Sequence, residues 1–149
     1  MGIKIISKNK RASFDYFLHD KYEAGIVLRG TEVKSLRAGK VSLSESFISI
    51  DANYEIWIVN MLISHYEFGN INNHQESRKR KLLLNKQEIV KIEHTIKTDG
   101  MTLVPLAIYF KNSTVKIEFA LGKGKKHFDK RADNAQKDVK RKIQRGDYD

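Results

Sequence analysis

The side chains here whose types and spacing suit chemistry are aromatic rings set among cations. Phe14, Tyr16, Phe17 and Tyr22 lie within a few positions of Lys8, Lys10, Arg11 and Lys21. RNA-binding surfaces use that mixture, with rings stacking on bases while ammonium and guanidinium groups meet phosphate. Any one of these rings is equally suited to a core; Phe14 and Tyr16 would share one face of a strand, and only one face can be core. A second basic feature is the unbroken run Arg78, Lys79, Arg80, Lys81, and a third is Gly122-Lys123-Gly124-Lys125-Lys126. The third lacks the spacing and the Ser or Thr of a phosphate loop. It reads as a flexible cationic hinge whose backbone amides can approach phosphate closely.

Other chemistries find little support. With no Cys there is no disulfide framework, thiolate nucleophile, zinc ribbon or iron–sulfur cluster. The five histidines, His19, His65, His74, His94 and His127, show no ligand spacing and are expected to be surface or capping residues, so no metal site and no cofactor are expected. No serine elbow occurs, and the acidic residues are scattered singly among bases rather than clustered for metal-dependent phosphodiester chemistry, which argues against an enzyme. The balance of 28 Lys plus Arg against 18 Asp plus Glu gives a net charge of +10. That excess calls for a polyanion, nucleic acid before lipid. The sequence contains neither an apolar run long enough to span a bilayer nor a secretory leader, so a cytoplasmic location with no membrane partner is expected.

Positioning these groups requires a body and a tail. Residues 14–28 read as two short extended pieces with a bend or bulge at Gly25. Thr31 is the expected N-cap of a short helix that buries Val33 and Leu36 and stops at Gly39. Phe47–Ile50 and Tyr54–Val59 flank Asp51-Ala52-Asn53 as a hairpin, and residues 69–81 read as an exposed loop leading into Leu82-Leu83-Leu84. Asn85 and Glu88 form a capping-box pattern, with Leu84 and Ile89 as the staple; Ile89, Ile92 and Ile96 then keep helical spacing up to Gly100. Residues 102–110 are β-rich with Pro105 at an edge or bulge, residues 111–114 turn, and Val115, Ile117, Phe119 and Leu121 alternate as a half-buried strand.

The pattern predicts a mainly β body over residues 1–121, a small closed or partly open antiparallel barrel with flanking helices. Residues 122–149 hold ten basic and five acidic side chains, half of the net excess in 28 residues. Their Ala132, Ala135, Val139 and Ile143 make only a thin helical stripe. A tail that is disordered when free and helical only against RNA is expected, Lys130, Lys137, Arg141 and Arg145 being neutralised there.

Several segments in consistent order resemble one family. These are Asn9-Lys10-Arg11-Ala12, Asp15-Tyr16, Glu23-Ala24-Gly25-Ile26, the block Gly30 to Lys40, Arg80-Lys81-Leu82-Leu83-Leu84, Thr102 to Leu106, and Gly124-Lys125-Lys126 with Asp129-Lys130-Arg131. Together they resemble the bacterial small protein B family, the SsrA-binding partners of transfer-messenger RNA. The resemblance implies an oligonucleotide-binding (OB)-type antiparallel β-barrel and a non-enzymatic role in trans-translation. The barrel would hold the tRNA-like domain of transfer-messenger RNA, and the pair would imitate tRNA in the A site of a stalled ribosome. It further implies that a monomer works with alanyl-charged transfer-messenger RNA and elongation factor Tu, while the tail probes the decoding centre and the empty mRNA channel.

By that resemblance Asn9, Tyr16, Glu23, Leu83 and Asn85 contact RNA, joined on grounds of charge by Lys10, Arg11, Arg80 and Lys81. The tail set is Lys123, Lys125, Lys126, Phe128, Asp129, Lys130, Arg131, Lys137, Arg141 and Arg145. Phe128 stands where many relatives have histidine, and it keeps stacking without a hydrogen bond. Ser13-Phe14 replaces a usual Arg-His pair, and Asn73-His74-Gln75 lacks a usual proline. The alternative on charge and aromatics alone is a general ribosome-associated or single-strand RNA-binding barrel with no dedicated RNA.

Overall fold

The computed structural model describes residues 2–67 and 73–125. Seven strands form one antiparallel sheet in the order β1-β8-β9-β2-β7-β5-β4. They are β1 (Ile3–Lys8), β2 (Tyr16–Ile26), β4 (Phe47–Ile50), β5 (Ile56–Val59), β7 (Arg80–Leu83), β8 (Thr102–Lys111) and β9 (Thr114–Gly124). β3 (Val41–Ser42) and β6 (Leu62–Ile63) pair separately. The sheet curls until β4 lies close to β8, but no ladder joins them. The barrel is therefore partly open, the looser of the two forms expected.

Its inner face carries Ile48, Ile56, Ile58, Leu82, Ile108, Ile117 and Phe119, all nearly solvent-free. Helix α3 (Lys86–Asp99) packs Ile89 and Ile92 onto that core and ends at Gly100, whose φ of +65° suits glycine. Each buried isoleucine contributes roughly 1.5–3 kcal/mol. Helix α2 (Gly30–Arg37) adds Leu36.

Several local expectations change. The segment read as two extended pieces is one eleven-residue strand, β2, and its register shifts between Leu18 and Lys21 rather than at Gly25. α2 is capped at Arg29, and it buries Glu32 and Ser35 along with the expected Leu36, while Val33 stays partly exposed. Asn85 is the α3 N-cap through its backbone, without a side-chain cap bond, so the capping box does not form. No sequence pattern marks β1, and the short α1 (Ala12–Asp15) takes Phe14 out of the expected extended segment, so Phe14 and Tyr16 do not share a strand face. Pro105 does sit at a bulge, where the β8–β9 register shifts between Pro105 and Ala107. Gly122–Gly124 is strand, paired with Tyr16–Leu18, not hinge. A Cβ on Gly122 would lie 2.9 Å from Val104 Cγ2 and 3.2 Å from Tyr16 Cβ, so this glycine is needed for room.

Candidate nucleic-acid interface

Strand alternation aims Glu23 and Gly25 outward from β2, and the pairing of Gly25 with Leu83 puts that exposed leucine on the same face. Two neighbours from β8 hold Glu23. Tyr109 donates its hydroxyl to Oε2, and Lys111 Nζ donates to Oε1 at 3.1 Å. The Tyr109 bond first, and then the Lys111 bond, hold the Glu23 carboxyl below its usual range, whereas burial and the same carboxylate push the Tyr109 phenol up. Glu23 is thus an oriented anion with about a third of its side chain exposed. It keeps lone pairs for a base amino group or a 2′-hydroxyl. Sequence reasoning missed Tyr109 and Lys111, because their tie to Glu23 crosses β9 and needs the register of three strands.

Asn9, Lys10, Arg11 and Tyr16 line a groove of about 550 Å³ together with Ser42–Phe47 and Thr102–Pro105. Just past the last β1–β8 pair, Lys8 with Ala107, Asn9 binds the carbonyls of the Pro105 bulge. Its backbone N–H donates to Leu106 O at 2.7 Å, and its Nδ2 donates to Pro105 O at 2.9 Å. Arg11 lies over the Phe14 ring at 4.9 Å and pairs loosely with Asp15 at 3.4 Å, mostly in solvent. β9 ends beside this groove: Lys125 N–H donates to Asp15 O, and its Nζ donates to Ser13 O and sits over Phe17. Lys81, Leu83 and Asn85 line a second groove of about 540 Å³ with Tyr54 and Glu55. The expected contacts therefore fall on an outer face with two flanking grooves.

Arg80 does not join them. Its guanidinium is fully buried, donating through Nε to Glu32 Oε2 and through Nη1 to Met61 O at 2.6 Å. Glu32, equally buried, also accepts from Arg78 Nη2 at 2.6 Å and from the Arg29 amide at 2.7 Å. Burial alone would raise the Glu32 carboxyl, but Arg78, the Arg29 amide and Arg80 together hold it below its ordinary value. Four successive cations thus divide by strand parity, with Arg80 committed to the interior and Lys81 outside. A phosphate contact by Arg80 is ruled out in this arrangement, because its guanidinium has no exposed surface and would have to give up the buried pair with Glu32.

His74 is likewise no surface histidine. It is buried, with Nε2 donating to Ile63 O at 2.8 Å and Nδ1 hydrogen-bonded to the Thr31 hydroxyl at 2.9 Å. Lys123 is exposed on β9. Lys126, Phe128, Asp129, Lys130, Arg131, Lys137, Arg141 and Arg145, and with them the expected disordered tail, lie outside the described residues. Among the described residues no cluster of side chains suits a metal ion, and no helix is long and apolar enough to cross a membrane.

A profile of the SmpB protein family matches residues 6–147. The chain belongs to that family. The SsrA-binding protein of Lachnoclostridium phytofermentans is 55% identical, over 97% of this chain and 93% of that one. The SsrA-binding proteins of Halothermothrix orenii and Bacillus pumilus are 52% and 50% identical, over 97% and 95% of this chain and 92% and 90% of theirs. Among solved structures, a chain from "tmRNA-SmpB: a journey to the center of the bacterial ribosome" superposes with a TM-score of 0.67 at 45% identity, covering 81% of this chain and 85% of that one. The span matched to the SmpB family includes Asn9, Tyr16, Glu23, Leu83, Asn85 and Asp129-Lys130-Arg131.

Proposed function

We propose that this chain binds the tRNA-like domain of transfer-messenger RNA and delivers it to stalled ribosomes in trans-translation, as a non-enzymatic partner. Its relatives are named SsrA-binding proteins, and its structural neighbour comes from a tmRNA-SmpB study of the ribosome. Within the chain, the observation that carries the reading is Glu23, an oriented and ionised carboxylate on the open face of a strongly basic protein. A carboxylate repels phosphate, so it adds selectivity for a base edge or a 2′-hydroxyl, while Lys10, Arg11 and Lys81 supply affinity. Asn9, Tyr16, Leu83 and Asn85 complete the body's contact set. The protein acts as a monomer in the cytoplasm, alongside alanyl-charged transfer-messenger RNA and elongation factor Tu. Lys123, Lys125, Lys126 and the motif Phe128 to Arg131 serve the ribosome, with Lys137, Arg141 and Arg145 following the empty mRNA channel from the decoding centre.

Gel-shift competition tests the reading. The tRNA-like domain is expected to outcompete a hairpin of equal length, with affinity falling steeply as salt rises. Equal affinity for the two RNAs would favour a general RNA-binding barrel. Replacing Asp129, Lys130 and Arg131 together by Ala is expected to leave this binding intact and abolish peptide tagging on stalled ribosomes. A variant that lost binding instead would refute the separation of body from tail.

A further inference from the structure

Trp57 is the single tryptophan of the chain, and it has no place in the contact set above. β5 alternates Ile56 and Ile58 inward with Trp57 and Val59 outward, so the indole stands half-exposed on the same sheet face as Lys81 and Leu83. A half-exposed side chain is ordinarily free to change rotamer, but this one is pinned by its edge. Nε1–H donates to Asp51 Oδ2 at 3.0 Å, while Asp51 Oδ1 accepts the amides of Asn53 at 3.0 Å and Glu55 at 2.9 Å. The hairpin turn therefore fixes the plane of the ring.

The surroundings suit a nucleotide. Across the ladders Trp57 is flanked by Ser49 on β4 and Lys81 on β7, a small hydroxyl on one side and a cation on the other. The ammonium of exposed Lys79 lies 4.4 Å from the ring centroid. A base sliding onto the ring would displace only the tip of that flexible chain, which then meets the nucleotide's own phosphate. Glu55, paired with Lys81 at 3.7 Å, and Asp51 place acceptors nearby for a base amino group or a 2′-hydroxyl. Continuing the register of β2 and β7, Glu23 lies two strands and four residues away, roughly 16 Å at about 4.8 Å per strand and about 3.4 Å per residue. One RNA segment of a few nucleotides reaches both.

We propose that Trp57 is a stacking platform for an unpaired base of the bound RNA, with Lys79 and Lys81 meeting the adjoining phosphates. The inference rests on the RNA-binding reading above and extends its contact face from β2 across β7 to β5. Because Trp57 is alone, its emission reports on this site with no labelling. The full-length chain is titrated with the isolated tRNA-like domain while fluorescence and gel shift are followed on the same samples.

Stacking is expected to quench the Trp57 emission at least twofold in step with the gel shift. Trp57→Ala is expected to weaken binding about tenfold, while Trp57→Phe, which keeps a ring, stays within about threefold of the parent. Lys79→Ala, at an exposed position, is expected to lower affinity by a few-fold and flatten the salt dependence. If the RNA shifts normally while emission and Lys79→Ala affinity stay unchanged, the platform is refuted and the RNA-binding reading stands, whatever the stability of Trp57→Ala. If the RNA does not shift at all, both fall.

Discussion

Glu23 and Glu32 stand nine residues apart, each is held by hydrogen-bond donors that include a cation, and both carboxyls titrate below their ordinary range. Their surroundings give them opposite work. Glu32 is solvent-free and takes two guanidiniums and an amide, so nothing of it remains for a ligand. It ties α2 to β7 and, through the carbonyls that Arg80 also binds, to Met61 and Glu76. Glu23 takes a phenol and an ammonium on one side and faces water on the other. The difference teaches that charge pairing in this chain is structural where every acceptor is spent and functional where acceptors are left over.

The largest test of this contrast is Glu32→Ala. Leaving Arg80 buried without its anion is expected to cost about 3–5 kcal/mol, read as an earlier urea midpoint; a loss under 1 kcal/mol would mean that water or a carbonyl replaces the carboxylate. Glu23→Ala is the mirror case. Its stability, read at the urea midpoint, is expected to fall by only about 1 kcal/mol, the loss of the Tyr109 bond, while affinity for the tRNA-like domain drops about tenfold or more. A variant that lost as much stability as Glu32→Ala would erase the distinction.

Acid offers a third probe. A carboxyl whose folded pKa is depressed contributes stability that is fully present above its unfolded value, ordinarily 4.5, and is lost as pH falls through the lower folded value. Stability is therefore expected to decline below about pH 4.5, and less steeply in Glu32→Gln, whose amide cannot titrate. Identical slopes would shift the acid sensitivity to other carboxylates. The smallest effect belongs to Tyr109→Phe, which removes the first support of Glu23. Its carboxyl is expected to titrate closer to 4.5 by NMR, with about 1 kcal/mol lost in stability. An unmoved titration would assign the depression to Lys111 alone.

These two carboxylates also mark how far the sequence could be read. Elements specified by near neighbours were legible: the hairpin around Asp51, the isoleucine stripe of α3 with its Gly100 stop, and the Asn112-Ser113 turn, where both residues have positive φ. Features set by distant partners were not. β1 exposes Ile3 and Ile5 and is held by a ladder to β8 some hundred residues on, so no local pattern marks it. Arg80 looks like its basic neighbours until Glu32, forty-eight positions earlier, is brought against it. In the candidate site, Glu23, Leu83 and Asn9 could be singled out only by likeness to a family. Tyr109, Lys111 and Trp57 came into view only with the register.

The strand order carries a consequence for how the chain is made. Among the described residues β1 has its sole ladder with β8, and β2 needs β9 and β7, so the first strands to emerge during synthesis pair with some of the last. At about 5–20 residues per second, the N-terminal strands wait several seconds for their neighbours. A chain cut short before Thr102 lacks β8, which pairs with β1, and the longer of the two described ladders on β2. Unfinished copies would expose bare strand edges that proteases and other chains can seize. Completion of the message thus becomes a condition for this fold.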